Sequence, residues 1–154
     1  MSEHEIRVPW MALKAFVADL FQAAGMPKAD AEVEAEVLIW ANLRGVDSHG
    51  VLKIHWYLEN FENGQMNPRP NVRTITETAA VFAVDADRAL GPVVTVPAMK
   101  KAITKAADVG IGWCQLKNVT HQGAIGYYTQ MAALNDMAGI VIATHPPTTA
   151  PHRA

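Results

Sequence analysis

Through the first third of the chain, apolar positions recur with a helical period. Leu13, Phe16, Val17, Leu20 and Phe21 are spaced three and four apart, which places them on one face of a helix. Gly25 suits the position just past that helix's end. Pro27 suits the first turn of a second helix, with Asp30, Glu32, Glu34 and Glu36 toward its positive end. Val33, Val37, Trp40 and Ala41 continue that helix, and Gly45 stops it. A third helix is expected from Asp47 or Ser48 through Leu52, Trp56 and Tyr57 to Gly64. Residues 66–70 carry two prolines and read as a connector.

The period then changes. Residues 72–78 and 80–84 are short and rich in Val, Thr, Ile and Phe, and predict two strands, possible partners in a hairpin. Residues 93–109 return to helical spacing through Val96, Met99, Ile103 and Ala106, and Gly110 closes them. Residues 111–116 predict an apolar strand. Residues 124–134 predict a helix with Tyr128, Met131 and Ala132 inward, and residues 139–144 predict another strand. The expected class is α/β: an N-terminal helical segment of three helices, then a β-β-α-β-α-β portion. After the last strand, residues 145–154, with three prolines and two histidines (His145 and His152), read as a loop. The expectation is an α/β layer left incomplete.

Composition narrows the class. At roughly 150 residues per domain, a chain of 154 residues makes one domain. A net charge of −2, from 13 Lys+Arg against 15 Asp+Glu, argues against a nucleic-acid binder, which needs a basic face. A single cysteine, Cys114, excludes a disulfide within the chain and reads as a small apolar residue of a strand. The N-terminal stretch is broken by Lys14 and Asp19, unlike a secretory signal. No charge-free run is apolar enough to span a membrane. These features predict a soluble, cytoplasmic protein.

Two stretches could carry chemistry. The first is Arg44-Gly45-Val46-Asp47-Ser48-His49-Gly50, followed by Lys53. A histidine at a helix start could move a proton near neutral pH. Lys53, four residues on, would share its helix face and could hold a carboxylate. The plainer alternative is that Asp47 or Ser48 merely caps the helix while His49 and Lys53 are solvated. The second stretch runs from Asn118 to Tyr128 and includes Thr120, His121, Gln122, Gly123, Ala124, Ile125 and Gly126. It links a buried strand to a helix whose first N–H groups favour a phosphate. It lacks the three-glycine dinucleotide fingerprint, so a plain strand-to-helix turn stays open. Two further readings are weaker. His49, His55, His121, His145 and His152 have no metal-ligand spacing. Ser48 lacks the nucleophile elbow of a hydrolase.

Taken together, these motifs resemble the malate/L-lactate/L-sulfolactate dehydrogenase family, NAD(P)-dependent oxidoreductases without a Rossmann fold. The likeness continues through Asn67-Pro68-Arg69-Pro70, Asp85 to Gly91, and Gly110-Ile111-Gly112, and so covers essentially the whole chain. It implies NAD or NADP as cofactor, and hydride transfer between nicotinamide and a small 2-oxo/2-hydroxy or cyclic 2-imino acid. His49 would be the proton donor and Ser48 its relay partner. Lys53 would stand where the family has an arginine gripping the substrate carboxylate, keeping the charge and losing the bidentate fork. His121, Gln122, Gly123, Ala124 and Ile125 would form the cofactor-binding turn, although His121 takes the acid–base role in some members. Gln122 replaces the usual phenylalanine, and Thr144 would lie near substrate. The resemblance implies a homodimer in a complete enzyme, with no nucleic acid, membrane or metal. It divides the chain into residues 1–70, a helical segment bearing the Ser–His motif, and residues 71–154, a partial NAD(P)-binding α/β domain. Because family members continue well beyond this length, the competing expectation is a truncated, non-catalytic fragment acting at most as an interaction module.

Overall fold

A computed structural model describes residues 7–144. Helix α1 (Trp10–Ala23) packs on α2 (Lys28–Asn42) through Val17, Ala18 and Phe21 against Ala31, Ala35 and Leu38. Tyr57 and Leu90 complete this cluster, so residues from later in the chain seal the helical pair. Phe16, expected on the inner face, is 60% exposed. One helical neighbour covers only the narrow strip formed by Leu13, Val17 and Phe21, and Phe16 falls outside it. Gly25 ends α1 at φ +99°, as its position predicted.

The expected third helix is divided. Two 3-10 turns, Asp47–His49 and Val51–Lys53, precede α3 (Ile54–Glu62). Gly50 is extended between the turns. Hence His49 and Lys53 are not one α-turn apart on a shared face, because the helical rotation is broken between them. Gly50 lies close against the Asn42 side chain: a Cβ there would stand 2.2 Å from Asn42 Oδ1 and would push that side chain aside.

The hairpin forms as β1 (Arg73–Glu77) antiparallel to β2 (Val81–Asp85), with a register shift between Thr74 and Thr76. Helix α4 (Gly91–Val109) follows, and β3 (Trp113–Lys117) then pairs parallel to β2, giving the order β1-β2-β3. Pro92 sits in the first turn of α4, where its missing N–H costs nothing, and Gly110 closes the helix at φ +88°. Phe82 and Val84 of β2 bury against Val94, Ala98 and Ala102 of α4. Helix α5 (Gly126–Ala133) docks through Tyr128 on Val37 of α2 and Val96 of α4.

The α/β class and the element order therefore hold as far as α5. The last expected strand does not form: residues 139–144 pair with no strand among the described residues. Ile140 and Ile142 are 73% and 74% exposed. Alternating apolar residues make a strand only where a neighbouring edge offers hydrogen bonds. Here an open groove lined by Trp113, Gln115, Ile140 and Ile142 lies between β3 and this segment. No helix among the described residues is long and apolar enough to cross a membrane.

Candidate functional site

The two motifs singled out in the sequence meet in space. The rings of His49 and His121 stack with centroids 5.5 Å apart and planes 24° from parallel. Ser48 Oγ lies 3.0 Å from His49 Nδ1. His49 and His121 are both half-buried, and Ser48 is exposed. The site is thus a pair of imidazoles at the surface end of a packed interior.

The Ser–His turn is held from α2. Asn42 Oδ1 accepts the Val51 N–H at 2.9 Å, and Asn42 Nδ2 donates to Asp47 Oδ1 at 2.6 Å. Neither Asp47 nor Ser48 caps a helix with its side chain. Asp47 instead anchors the loop to Asn42. Asn42→Ala is expected to destabilise the fold by about 1–3 kcal/mol, because the Val51 N–H and Asp47 lose their partner. Chemical denaturation measures that loss, and an unchanged midpoint would rule out the staple.

The second turn is held from three sides. Gly91 N–H donates to the His121 carbonyl at 3.0 Å. Thr120 Oγ1 donates to the Ala89 carbonyl at 2.8 Å. Tyr128 O–H donates to the Gln122 carbonyl at 2.5 Å. The Gln122 side chain turns inward and accepts from Thr95 Oγ1 at 3.0 Å. Gly123, at φ +64°, sends its N–H back to His121 Nδ1 at 3.3 Å. Gly123 and Ala124 are buried, whereas Ile125 is exposed. Among the described residues no protein group takes the N–H of Ala124 or Ile125, so two backbone donors stand at the start of α5.

Tyr57 defines the state of His121. Its oxygen lies 2.8 Å from His121 Nδ1. Burial, with Glu34 and Tyr128 adding to it, holds the Tyr57 hydroxyl well above the usual phenol range, so it stays an O–H donor. The Gly123 N–H aims at the same nitrogen and is a donor only. With both of these donors aimed at it, Nδ1 is the accepting ring nitrogen in this geometry. Trp56 meets His121 edge-on at 5.6 Å.

Of the other expected residues, Lys53 places its Nζ 5.4 Å over the ring of Trp56, the residue that meets His121 edge-on. Thr144 is exposed and lines the long groove with Thr120 and Gln122. Cys114 is half-buried, and burial pushes its thiol up to about 11, away from reactivity. His145 and His152 lie outside the described residues. Among the described residues no group of three or more His, Cys, Asp or Glu gathers for a metal.

Sequence reasoning missed two groups. Tyr57 read only as a helix residue, and no local signal ties it to a histidine 64 positions away. Glu34 read as a charge at the positive end of α2 and is instead wholly buried, with neither carboxyl oxygen hydrogen-bonded among the described residues. A signal existed here: Ala31, Ala35 and Leu38 surround it at helical spacing, so it lies on the inner stripe. Burial raises its carboxyl to about 8, which leaves it mostly protonated at neutral pH.

The family profile described as malate/L-lactate dehydrogenase matches residues 8–154. The chain is 40% identical over 151 residues to a malate dehydrogenase of Pyrococcus horikoshii, covering 98% of this chain and 42% of that protein. It is 37% identical over 138 residues to an L-sulfolactate dehydrogenase of Methanocaldococcus jannaschii, covering 90% of this chain and 40% of that one. The solved structure of the P. horikoshii malate dehydrogenase superposes with a TM-score of 0.81 at 41% identity, over 84% of this chain and 37% of that one. The M. jannaschii sulfolactate dehydrogenase structure gives 0.82 at 34% identity, over 85% and 38%. A Δ1-piperideine-2-carboxylate reductase of Pseudomonas syringae, at 23% identity and a TM-score of 0.79, shares the fold. The chain spans about 40% of the length of the curated relatives it matches.

Proposed function

Because this chain belongs to the malate/L-lactate dehydrogenase family, we propose that it supplies the acid–base and cofactor-turn portion of an NAD- or NADP-dependent dehydrogenase acting on a small 2-oxo/2-hydroxy acid. The observation that carries this reading is the stacking of His49 on His121, which joins a proton-transfer pair to a turn with free backbone donors. The donors of Ala124 and Ile125 at the start of α5 fit a phosphate-bearing cofactor in charge and kind. Such a cofactor, when bound, supplies the hydride. This chain's residues do the rest. His121, Gly123, Ala124 and Ile125 bind and orient, with Gln122 fixing the turn to α4. His49 gives its proton to the substrate oxygen during reduction and takes it back during oxidation. Ser48 holds the His49 ring through Nδ1. Lys53 meets the substrate carboxylate from the Trp56 rim as a point charge, and Thr144 contacts substrate from the groove.

In this reading residues 1–70 present the Ser–His pair and residues 71–154 present the cofactor turn. The working form is a cytoplasmic homodimer. The test is the absorbance of NADH and NADPH at 340 nm with pyruvate, oxaloacetate, sulfopyruvate and a cyclic imino acid in turn. Oxidation with one of these acids, abolished by losing His49, is the expected result. Turnover by a His49-deficient protein would assign the proton to His121 instead.

A second reading rests on a separate observation. Ile111, Trp113, Leu134, Ile140 and Ile142 all leave large apolar surface exposed around β3 and the segment after α5. Such a surface favours an interaction module that is silent until covered. NAD(P)H oxidation by the purified chain alone would sink this reading.

A further inference from the structure

One edge of β3 is paired with β2, and no strand among the described residues pairs with the other. The Trp113 N–H donates to the Ala80 carbonyl at 2.9 Å, and the Lys117 carbonyl accepts the Ala86 N–H at 2.8 Å. Along a strand, successive residues turn their backbone groups to opposite sides. Residues 113, 115 and 117 therefore face β2, while Cys114 and Leu116 aim their N–H and C=O groups into the long groove. Natural sheet edges are blunted by proline, bulges or charge. This edge has neither proline nor bulge, and its charge, Lys117, stands at its end.

The far rim of the groove is the segment after α5. The chain leaves β3, passes through α5 and returns along residues 139–144, the connection that in α/β folds lays a second strand parallel to the first. Here the two do not pair, and residues 138–144 make no backbone–backbone hydrogen bond among the described residues. The segment is nonetheless seated. Val141 packs on the cluster of Val37, Val96 and Tyr128, and a Cβ on Gly139 would stand 2.9 Å from the Ala132 Cβ. On the near rim, Cys114 and Leu116 pack their side chains on the cluster that α4 forms with β2. Both rims thus rest on one helical layer. Between them Met99, Ala102 and Ile103 of α4 make an apolar floor, and the groove holds about 960 Å³.

A strand edge on one side, a seated segment without partners on the other and an apolar floor between them are the walls of a strand position. We infer that this groove takes a β-strand, apolar on its α4-facing side, from the portion of a malate dehydrogenase-type chain that this one does not match, and that the strand joins β3 to residues 139–144 in one sheet. The proportions of the relatives select that occupant. This chain matches 42% of the P. horikoshii malate dehydrogenase, and it superposes on that structure over 84% of its own length while covering 37% of the other. The remainder is a polypeptide longer than this chain, and it completes the same fold. An interface between two parts of one fold is a domain core cut in half, large and apolar. Ile111, Trp113, Ile140 and Ile142, which line the groove with large exposed surfaces, are what such a core buries. The inference rests on the reading of an interaction module above and deepens it by naming the partner and the mode of pairing.

The test is residue-resolved amide hydrogen exchange on the full 154-residue chain. It is measured alone and with the part of the P. horikoshii malate dehydrogenase outside the 151-residue match, supplied as a separate chain. Alone, Gln115 and Lys117 are expected to exchange slowly and Cys114 and Leu116 quickly. With the second chain present, Cys114 and Leu116 should slow by roughly a hundredfold, together with alternate residues of 139–144. Ile103→Lys puts a charge on the groove floor, where it meets water in the free chain and is buried under an added strand. It is expected to keep the slow exchange of Gln115 and to weaken association by at least roughly tenfold. Exchange at Cys114 and Leu116 that the second chain leaves unchanged, whether or not a complex forms, overturns the inference, and it does so even if Ile103→Lys fails to fold. A folded Ile103→Lys chain that associates as tightly as the wild type overturns it too. Slow exchange at Cys114 and Leu116 in the chain alone, rising with its concentration, would give the groove to a second copy instead. No turnover is read, so NAD(P)H oxidation by the chain alone would remove the interaction-module reading while the pairing is decided by exchange.

Discussion

His49→Ala is expected to lower turnover by roughly 10²–10⁴-fold, the range that a positioned general acid contributes, with cofactor affinity nearly unchanged. The reason is geometric. His49 stands on a separate 3-10 turn, held by Asn42 and partnered by Ser48, and its ring meets the 121–125 turn by stacking on His121. Removing its side chain takes away the proton without disturbing Gly91, Thr120 or Tyr128, which set that turn. His121→Ala should behave differently. It removes the acceptor of both Tyr57 and the Gly123 N–H, so cofactor binding should weaken along with turnover. Steady-state kinetics together with a direct binding titration separate the two variants. Should His49→Ala lose cofactor affinity instead of turnover, the assignment of the proton to His49 fails.

Gly91→Ala is expected to cost about 3 kcal/mol and to lower the melting temperature by roughly 6–12 °C. A Cβ at this position would lie 2.3 Å from the Gln122 Cα and 2.5 Å from the His121 carbonyl oxygen. Both obstacles are backbone, so neither can swing aside as a flexible side chain would. The added methyl must push the 121–123 turn off the start of α4, and the Gly91 N–H bond to the His121 carbonyl stretches with it. The same displacement should move His121 away from Tyr57, so cofactor affinity should fall together with stability. Gly64→Ala is a useful comparison. Its Cβ would meet nothing within 4 Å, so only its φ of +66° opposes the change, and no loss of cofactor affinity is expected. Thermal melts and a cofactor titration on both variants check this. A Gly91→Ala protein with native stability and affinity would show that the turn is not seated on α4 in the way the backbone contacts describe.

What the chain states locally is considerable. Helical spacing located α1, α2, α4 and α5, and β-branched runs located the hairpin and β3, because each of these elements is set by which face is apolar. Gly25 and Gly110 marked helix ends because both take the left-handed conformation that glycine tolerates. The two chemical motifs were legible as unusual strings, and their order pointed to the family. The stretch after Gly45 misled because 3-10 turns and an α-helix share nearly the same apolar spacing over so few residues. The bonds from Asn42 to Asp47 and to the Val51 N–H, which hold the two turns, come from a different helix and leave no local signal. Residues 139–144 misled for another reason: a strand exists only where it bonds a neighbouring edge, and periodicity does not say whether the segment comes close enough to β3 to do so.

The site itself divides along the same line. The sequence alone determined that Ser48 and His49 are adjacent and that glycine flanks His121, since these are facts of covalent order. Tertiary structure decided that the two histidines stack, that the Tyr57 hydroxyl meets His121 Nδ1, and that Glu34 is buried rather than solvated at a helix end. Those are contacts across tens of residues, set by how α2, α3 and α5 converge. A proton's position depends on the donors and acceptors within about 3 Å of it, and that neighbourhood exists only once the chain has folded.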